Sequence, residues 1–361
     1  MRPTSTLLAF PLVLCAAPMA AQRAESYTVP GRSVSIYNFA GEVRIERGTG
    51  SAVTVEVTRQ GRDAERLKVE TGPLDGRGTL RVRTDADRLV YPKLGRWSET
   101  TINVRGDGRW GGDDGAEGTG SWSRWRGDRV RISGRGSGAE AWADIVVHVP
   151  DGVDAVVHHG AGALVAQGLH APLTLDLASA TVEVRDHVGA VTVDAGSGST
   201  LLSNVEGRVR LDLGSGGTDL RDVKATDLHI DAGSGGVTGD NVTVGGLLDL
   251  DAGSGTTTFK RLTARRAKMD LGSGGLSAEF LTDVDDLQID SGSGSVTLWL
   301  PPTAGAEIDI DTGSGGVSTD FPITVSHKES NRLVGTLGDG KGRIAVDAGS
   351  GSVRLRKLMT K

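Results

Sequence analysis

The chain has 361 residues, 54 of them glycine, with 4% aromatic residues and a formal net charge of -6. That length can bury a large core. The glycine content, the scarcity of aromatics and the lack of a long helix-period apolar pattern point away from helical architectures and towards many short strands joined by tight turns. The charge is uneven: between Val191 and Asp320 there are 20 Asp/Glu against 9 Lys/Arg, an acidic excess that argues against nucleic acid as a partner, because phosphate contacts need cations.

Residues 1–21 have the layout of a secretory signal peptide. Arg2 is followed by the apolar run from Leu7 to Leu14 and by small residues at Ala16, Ala17, Ala20 and Ala21. This run is too short to span a bilayer stably. Cleavage is expected near Ala21, with Gln22 as the first mature residue, although Met19 occupies the minus-three position where a small residue is usual. The only cysteine, Cys15, lies inside this segment behind Leu14, so neither a lipid anchor nor a disulfide is expected in the mature chain. No second apolar run is long enough for a membrane helix, so no transmembrane segment is expected after cleavage. The expected destination is the periplasm, the outer surface or the medium.

Residues 22–95 alternate apolar and polar residues, as at Val34/Ile36, Val43/Ile45, Val53/Val55/Val57, Leu67/Val69 and Leu80/Val82. This period of two is that of strands, expected to start and cap the fold. Residues 96–138 differ: they hold Trp97, Trp110, Trp122, Trp125 and eight arginines among glycine runs. They read as an insertion, a loop or disordered segment or else a long hairpin, whose tryptophans are candidate ligand contacts.

Residues 139–361 carry the strongest signal. The pattern Asp-x-Gly-Ser-Gly occurs eight times, at Asp194, Asp212, Asp231, Asp251, Asp270, Asp290, Asp311 and Asp347, with spacings of 18, 19, 20, 19, 20, 21 and 36. Degenerate copies stand at Asp176 and His158. A period near 20 residues predicts an all-β, single-chain β-solenoid, parallel β-helix-like, with ~18–21-residue coils and Asp-x-Gly-Ser-Gly corners. Alternating apolar residues before the motif (Val209, Leu211, Leu213) and after it (Val296, Leu298) predict two short strands per coil. A further inward position is expected 11 residues after each Asp from Asp194 to Asp311: Val205, Val223, Val242, Leu262, Leu281, Pro301 and Pro322. The double-length interval from Asp311 to Asp347 reads as one coil with a long excursion before the last rung.

The eight aspartates are expected to point outward and to accept backbone N–H bonds in the corner, making a structural turn column. A line of calcium sites is the alternative reading of the same column; otherwise no cofactor is expected. The segment from Gly335 to Gly342 resembles a phosphate-binding loop up to Lys341, but Gly342 stands where Ser or Thr should hold magnesium and a strand follows instead of a helix. None of the seven histidines has metal-type spacing, and there is no Gly-x-Ser-x-Gly, so no catalytic or metal site is expected.

Three stretches together resemble the bacterial adhesin-like family of β-strand-repeat proteins and are similar to head-GIN-type adhesins. They are the opening from Val34 to Ile45, the Asp-x-Gly-Ser-Gly units, and the closing segments 333–340 and 347–355. The resemblance implies a surface or periplasmic β-solenoid with no established catalytic residues. With the signal peptide and the regular repeat, the chain reads as an exported, non-enzymatic scaffold of unknown partner, a glycan or a cell-envelope component being expected. The Trp/Arg insertion departs from the family's pattern. The alternatives are a polysaccharide-lyase-like β-helix enzyme and a purely structural envelope protein.

Overall fold

The structure, a computed structural model, describes residues 24–110 and 127–359. Segment 1–21 with Cys15, and also Trp122 and Trp125, lie outside the described residues. Among the described residues there is a 22-stranded sheet and a separate four-stranded sheet. The regular elements are strands apart from two single 3-10 turns at Ala64–Arg66 and Pro92–Leu94.

The large sheet is the expected solenoid. The strands Thr200–Ser215, Thr218–Ala232, Val237–Ala252 and Thr257–Leu271 stack parallel, one coil on the next. Each runs from just after one corner to the next, and the aspartates stay in register, Asp212 on Asp231 on Asp251 on Asp270. Alternate residues face inward: Val209, Leu211 and Leu213, then Leu228, Ile230 and Ala232, then Leu248, Leu250 and Ala252 are all buried. Each fully buried Val, Leu or Ile is worth about 1.5–3 kcal/mol, and stacking like on like makes a continuous aliphatic core. Coil lengths differ, and the extra residues are absorbed away from the Asp column, at register shifts between Gly207 and Val209, Ala225 and Leu228, and Val244 and Leu247.

The strands break at the Gly-Ser-Gly motifs, and close backbone approach explains the glycines. A Cβ on Gly235 would sit 1.6 Å from the carbonyl oxygen of Gly216, and one on Gly255 would sit 2.0 Å from that of Gly235. No side chain fits where successive corners stack this tightly. Among the Gly-Ser-Gly glycines of the eight motifs, only Gly198, Gly216 and Gly313 have a φ in the left-handed region.

The inward position 11 residues after the Asp holds for Val205, Val223, Val242 and Leu262, all buried. It fails afterwards: Leu281 is 44% exposed, Pro301 is half-buried and Pro322 is exposed. The cause is the preceding residue. Asn204, Asp222, Asn241 and Arg261 adopt positive φ (52°, 53°, 57° and 52°), turning the chain so that the next side chain enters the core. The corresponding Phe280 and Leu300 do not; a bulky residue disfavours that conformation, so they continue the strand and are themselves buried.

The C-terminal end also departs from the expected order. The strand Gly342–Ala348 lies between Asp286–Ser291 and Ala306–Asp311, parallel to both. Val353–Lys357 likewise lies between Val296–Leu300 and Val317–Thr319. The last rung in sequence is therefore the penultimate rung in space. The long interval forms the outermost rung plus a hairpin, in which Arg332–Leu337 pairs antiparallel with both Ala306–Asp311 and Ile323–Lys328.

The other end closes in the same way. Ser33–Arg47 stacks under Asp154–Gln167, so the chain between them leaves the stack and returns. Val53–Gln60 pairs antiparallel with Trp142–Val149, and Leu67–Leu74 pairs antiparallel with Arg77–Thr84. Antiparallel strands thus cover both ends of the parallel stack, which otherwise would offer open edges for association.

Candidate functional site

Two surfaces are built with enough regularity to consider. The first is the Asp column. In register along one outer strand face run Tyr37, His158, Asp176, Asp194, Asp212, Asp231, Asp251, Asp270, Asp290, Asp347 and Asp311. Parallel strands bring such neighbours about 4.8 Å apart. Partial burial and then the flanking Asp176 and Asp212 push the Asp194 carboxyl up from the ordinary carboxylate value. Asp251 is likewise pushed up, by burial first and then by Asp231 and Asp270.

The capping bond expected of these aspartates is present at Asp311, whose carboxylate accepts the N–H of Gly313 at 3.1 Å. At Asp231, Asp251, Asp270 and Asp347 the corner amides have other acceptors. Gly233 N–H donates to Leu213, Gly253 N–H to Ala232, Gly272 N–H to Ala252 and Gly349 N–H to Ser291, all carbonyls of the neighbouring coil. There the inter-coil ladder already uses the N–H groups that a capping carboxylate would need. Among the described residues, no three His, Cys, Asp or Glu side chains converge as a metal centre requires.

The start of the column is covered. His158 is buried, stacks on Tyr37 at 4.3 Å between ring centroids, and pairs through Nδ1 with the Asp176 carboxylate at 3.0 Å. Trp110 packs edge-on against both, 6.3 Å from Tyr37 and 5.8 Å from His158. Trp110 is only 4% exposed, which corrects its expected role as a ligand contact: it is core. The neighbouring His159 faces the other way, into the solenoid, between Asn38 and Leu177. Burial lowers its pKa to about 4, against weaker opposing contributions from the backbone of Asn38 and Gly41. His187 replaces an aliphatic residue in the Val205 column and is also lowered to about 4 by burial.

The second surface is the small sheet. It contains Arg88–Val90, Glu99–Arg105, Gly127–Ser133 and Ala139–Glu140. Glu99–Arg105 and Gly127–Ser133 form an antiparallel pair, so the described arms of the 96–138 insertion are a hairpin and not a loop. Its inner face is apolar: Ile102 and Ile132 press on Gly160 of the solenoid, where a Cβ would lie 2.4 Å from the Ile102 side chain. Strand alternation then sends Thr101, Asn103, Arg129 and Arg131 outward, and all four are exposed. Arg88 neighbours Arg131 across the parallel pair. Glu99 is the shared acidic partner of Arg88 and Arg131, at 3.4 and 3.3 Å. A cleft of about 590 Å³ opens over Arg88, Arg129, Arg131, Thr101 and Ser137, with Asp87 also in its wall. At the end of the same hairpin Trp97 is 81% exposed, with the Arg135 guanidinium 3.4 Å over its ring.

Of the four tryptophans singled out from sequence, then, Trp97 remains an exposed candidate, Trp110 is buried, and Trp122 and Trp125 lie outside the described residues. The arginine face was missed as a site. Its signal was present in the alternation Arg129-Val130-Arg131-Ile132, which marks one apolar and one basic strand face.

The segment 335–342, which resembled a phosphate loop, is the end of one strand, a turn and the start of the next, with Lys341 paired to Asp339 at 2.7 Å. Among the described residues, no helix is long and apolar enough to cross a membrane.

Comparison with known proteins gives a family. No curated protein matches the sequence. A solved structure from Clostridium sporogenes ATCC 15579, provisionally named a cell adhesion protein, aligns over 93% of this chain and 99% of its own at 13% identity. Its TM-score is 0.19. The Toastrack DUF4097 family matches residues 143–356, the parallel stack from the rung before His158 almost to the C-terminus, and the chain belongs to that family.

Proposed function

We propose that this protein is an exported, non-enzymatic β-solenoid scaffold that holds a binding surface at the cell envelope, in the manner of an adhesin. The observation that carries the reading is the small sheet. One face is bolted to the rigid stack through Ile102 and Ile132, while the opposite face carries arginines and lies beside the exposed Trp97. Long stacked coils fix a surface in space at little entropic cost, and an Arg/Trp surface is the composition of binding hot spots. The signal-like layout of residues 1–21 supports export. The aspartates are strung evenly along a strand face, without the cleft that paired catalytic carboxylates need, which favours a scaffold over a lyase-like enzyme.

The test is a binding screen of residues 22–361 against glycans and envelope extract, with calcium and with chelator. The reading expects retention by at least one envelope fraction, unaffected by chelator, and no turnover of polyuronates. Turnover abolished by Asp231→Ala and Asp251→Ala would replace it with the enzymatic alternative. The absence of any retention would favour a purely structural role.

A further inference from the structure

We infer that the outward face of the small sheet binds an acidic polysaccharide through its sugar carboxylates; this rests on the scaffold reading above. Arg88 and Arg131 are register neighbours, and Arg129 lies two residues along the same strand, so three guanidiniums share one side. Glu99 partners two of them and Asp87 also lines the cleft, so three guanidiniums stand against two carboxylates; Arg129 makes no ion pair among the described residues, and the face keeps an excess of one positive charge. The guanidinium fork matches a carboxylate with two parallel hydrogen bonds.

The rest of the cleft suits a sugar better than a bare anion. Thr101 and Ser137 line it with hydroxyls that can exchange hydrogen bonds with a pyranose. Its volume, about 590 Å³, lies within the range of small-ligand sites. Trp97, 81% exposed at the end of the same hairpin, offers an aromatic face for ring stacking.

The experiment is calorimetric titration of residues 22–361 with polygalacturonate, with neutral dextran as control, at low and moderate salt. Polygalacturonate is expected to bind and to weaken as salt rises; dextran is not. Arg129→Gln combined with Arg131→Gln should weaken binding about tenfold or more, and Trp97→Ala several-fold. Both variants should melt as the parent does, because these side chains face solvent. Asp231→Asn should leave affinity unchanged.

Polygalacturonate binding that the double variant leaves intact would overturn the inference. So would equal or tighter binding of single-stranded DNA or of phosphatidylglycerol vesicles. If envelope extract is retained but polygalacturonate is not, this inference fails and the scaffold reading stands; if neither is retained, both fail.

Discussion

Glycine at the corners is a packing requirement, and glycines within and just past these motifs make contrasting predictions. Gly235→Ala puts a methyl 1.6 Å from a backbone oxygen that cannot move without shifting a whole coil. Its expected cost is about 3 kcal/mol or more. Gly217, one residue past its motif, has nothing within 4 Å of its Cβ position and no positive φ. Gly217→Ala should be neutral or stabilise by about 0.4–1 kcal/mol, through the unfolded chain. Urea midpoints of the two variants check this. Titratable residues oppose one another. His159 and His187 have folded-state pKa values of about 4, below the ordinary 6.5, so the unfolded chain takes up protons first as the pH falls. Their stability is whole above about pH 6.5 and is lost towards pH 4, by up to about 3 kcal/mol each. His187→Leu, which restores the aliphatic column, should flatten the fall in Tm between pH 7 and pH 4. The column works in the other direction: raised carboxylate values at Asp194 and Asp251 mean a cost at neutral pH that is relieved by acid. Asp251→Asn should therefore stabilise at pH 7 by a few tenths to about 1 kcal/mol at low salt, a gain that shrinks in acid or high salt.

Within a coil, the decisive element is the left-handed residue at Asn204, Asp222, Asn241 and Arg261. It determines which following side chain is core. Phe280→Ala should cost about 3–5 kcal/mol, because Phe280 is fully buried and pairs with Leu262, whereas Leu281→Ser, at a site 44% exposed, should change Tm little. Reading a constant offset from sequence misassigned Leu281, Pro301 and Pro322, because an offset records chain length and not φ. Asn and Asp tolerate that conformation and could have flagged it at three of the four positions. What was legible was the alternation around the motifs: Val209, Leu211, Leu213 and their counterparts are buried as their period of two requires. The insertion's arms were harder to read. The strand signal in Glu99–Arg105 and Gly127–Ser133 is short, and glycine and arginine dominate the surrounding composition.

Across the whole molecule, the parallel stack followed from one repeated pattern, but the order of its rungs did not. A spacing of 36 says that the chain is away from the stack for one extra coil, and nothing in it says where the chain returns. Return between two earlier rungs makes the C-terminus structural. Truncation after Gly340 would remove the strand joining Asp286–Ser291 to Ala306–Asp311 and leave both cores open. Such a truncation should abolish the folding of the last rungs, well beyond the loss of an end strand, as a collapse of the slowest-exchanging amides in residues 286–311. The same rigid stack is what qualifies the small sheet as a platform, and hydrogen–deuterium exchange of residues 22–361, with and without a retained envelope fraction, tests that most directly. The account predicts new protection confined to 88–90, 97–105 and 127–135, with the strands from 200 to 271 unchanged. Protection along the aspartate strands, with none on the small sheet, would contradict it.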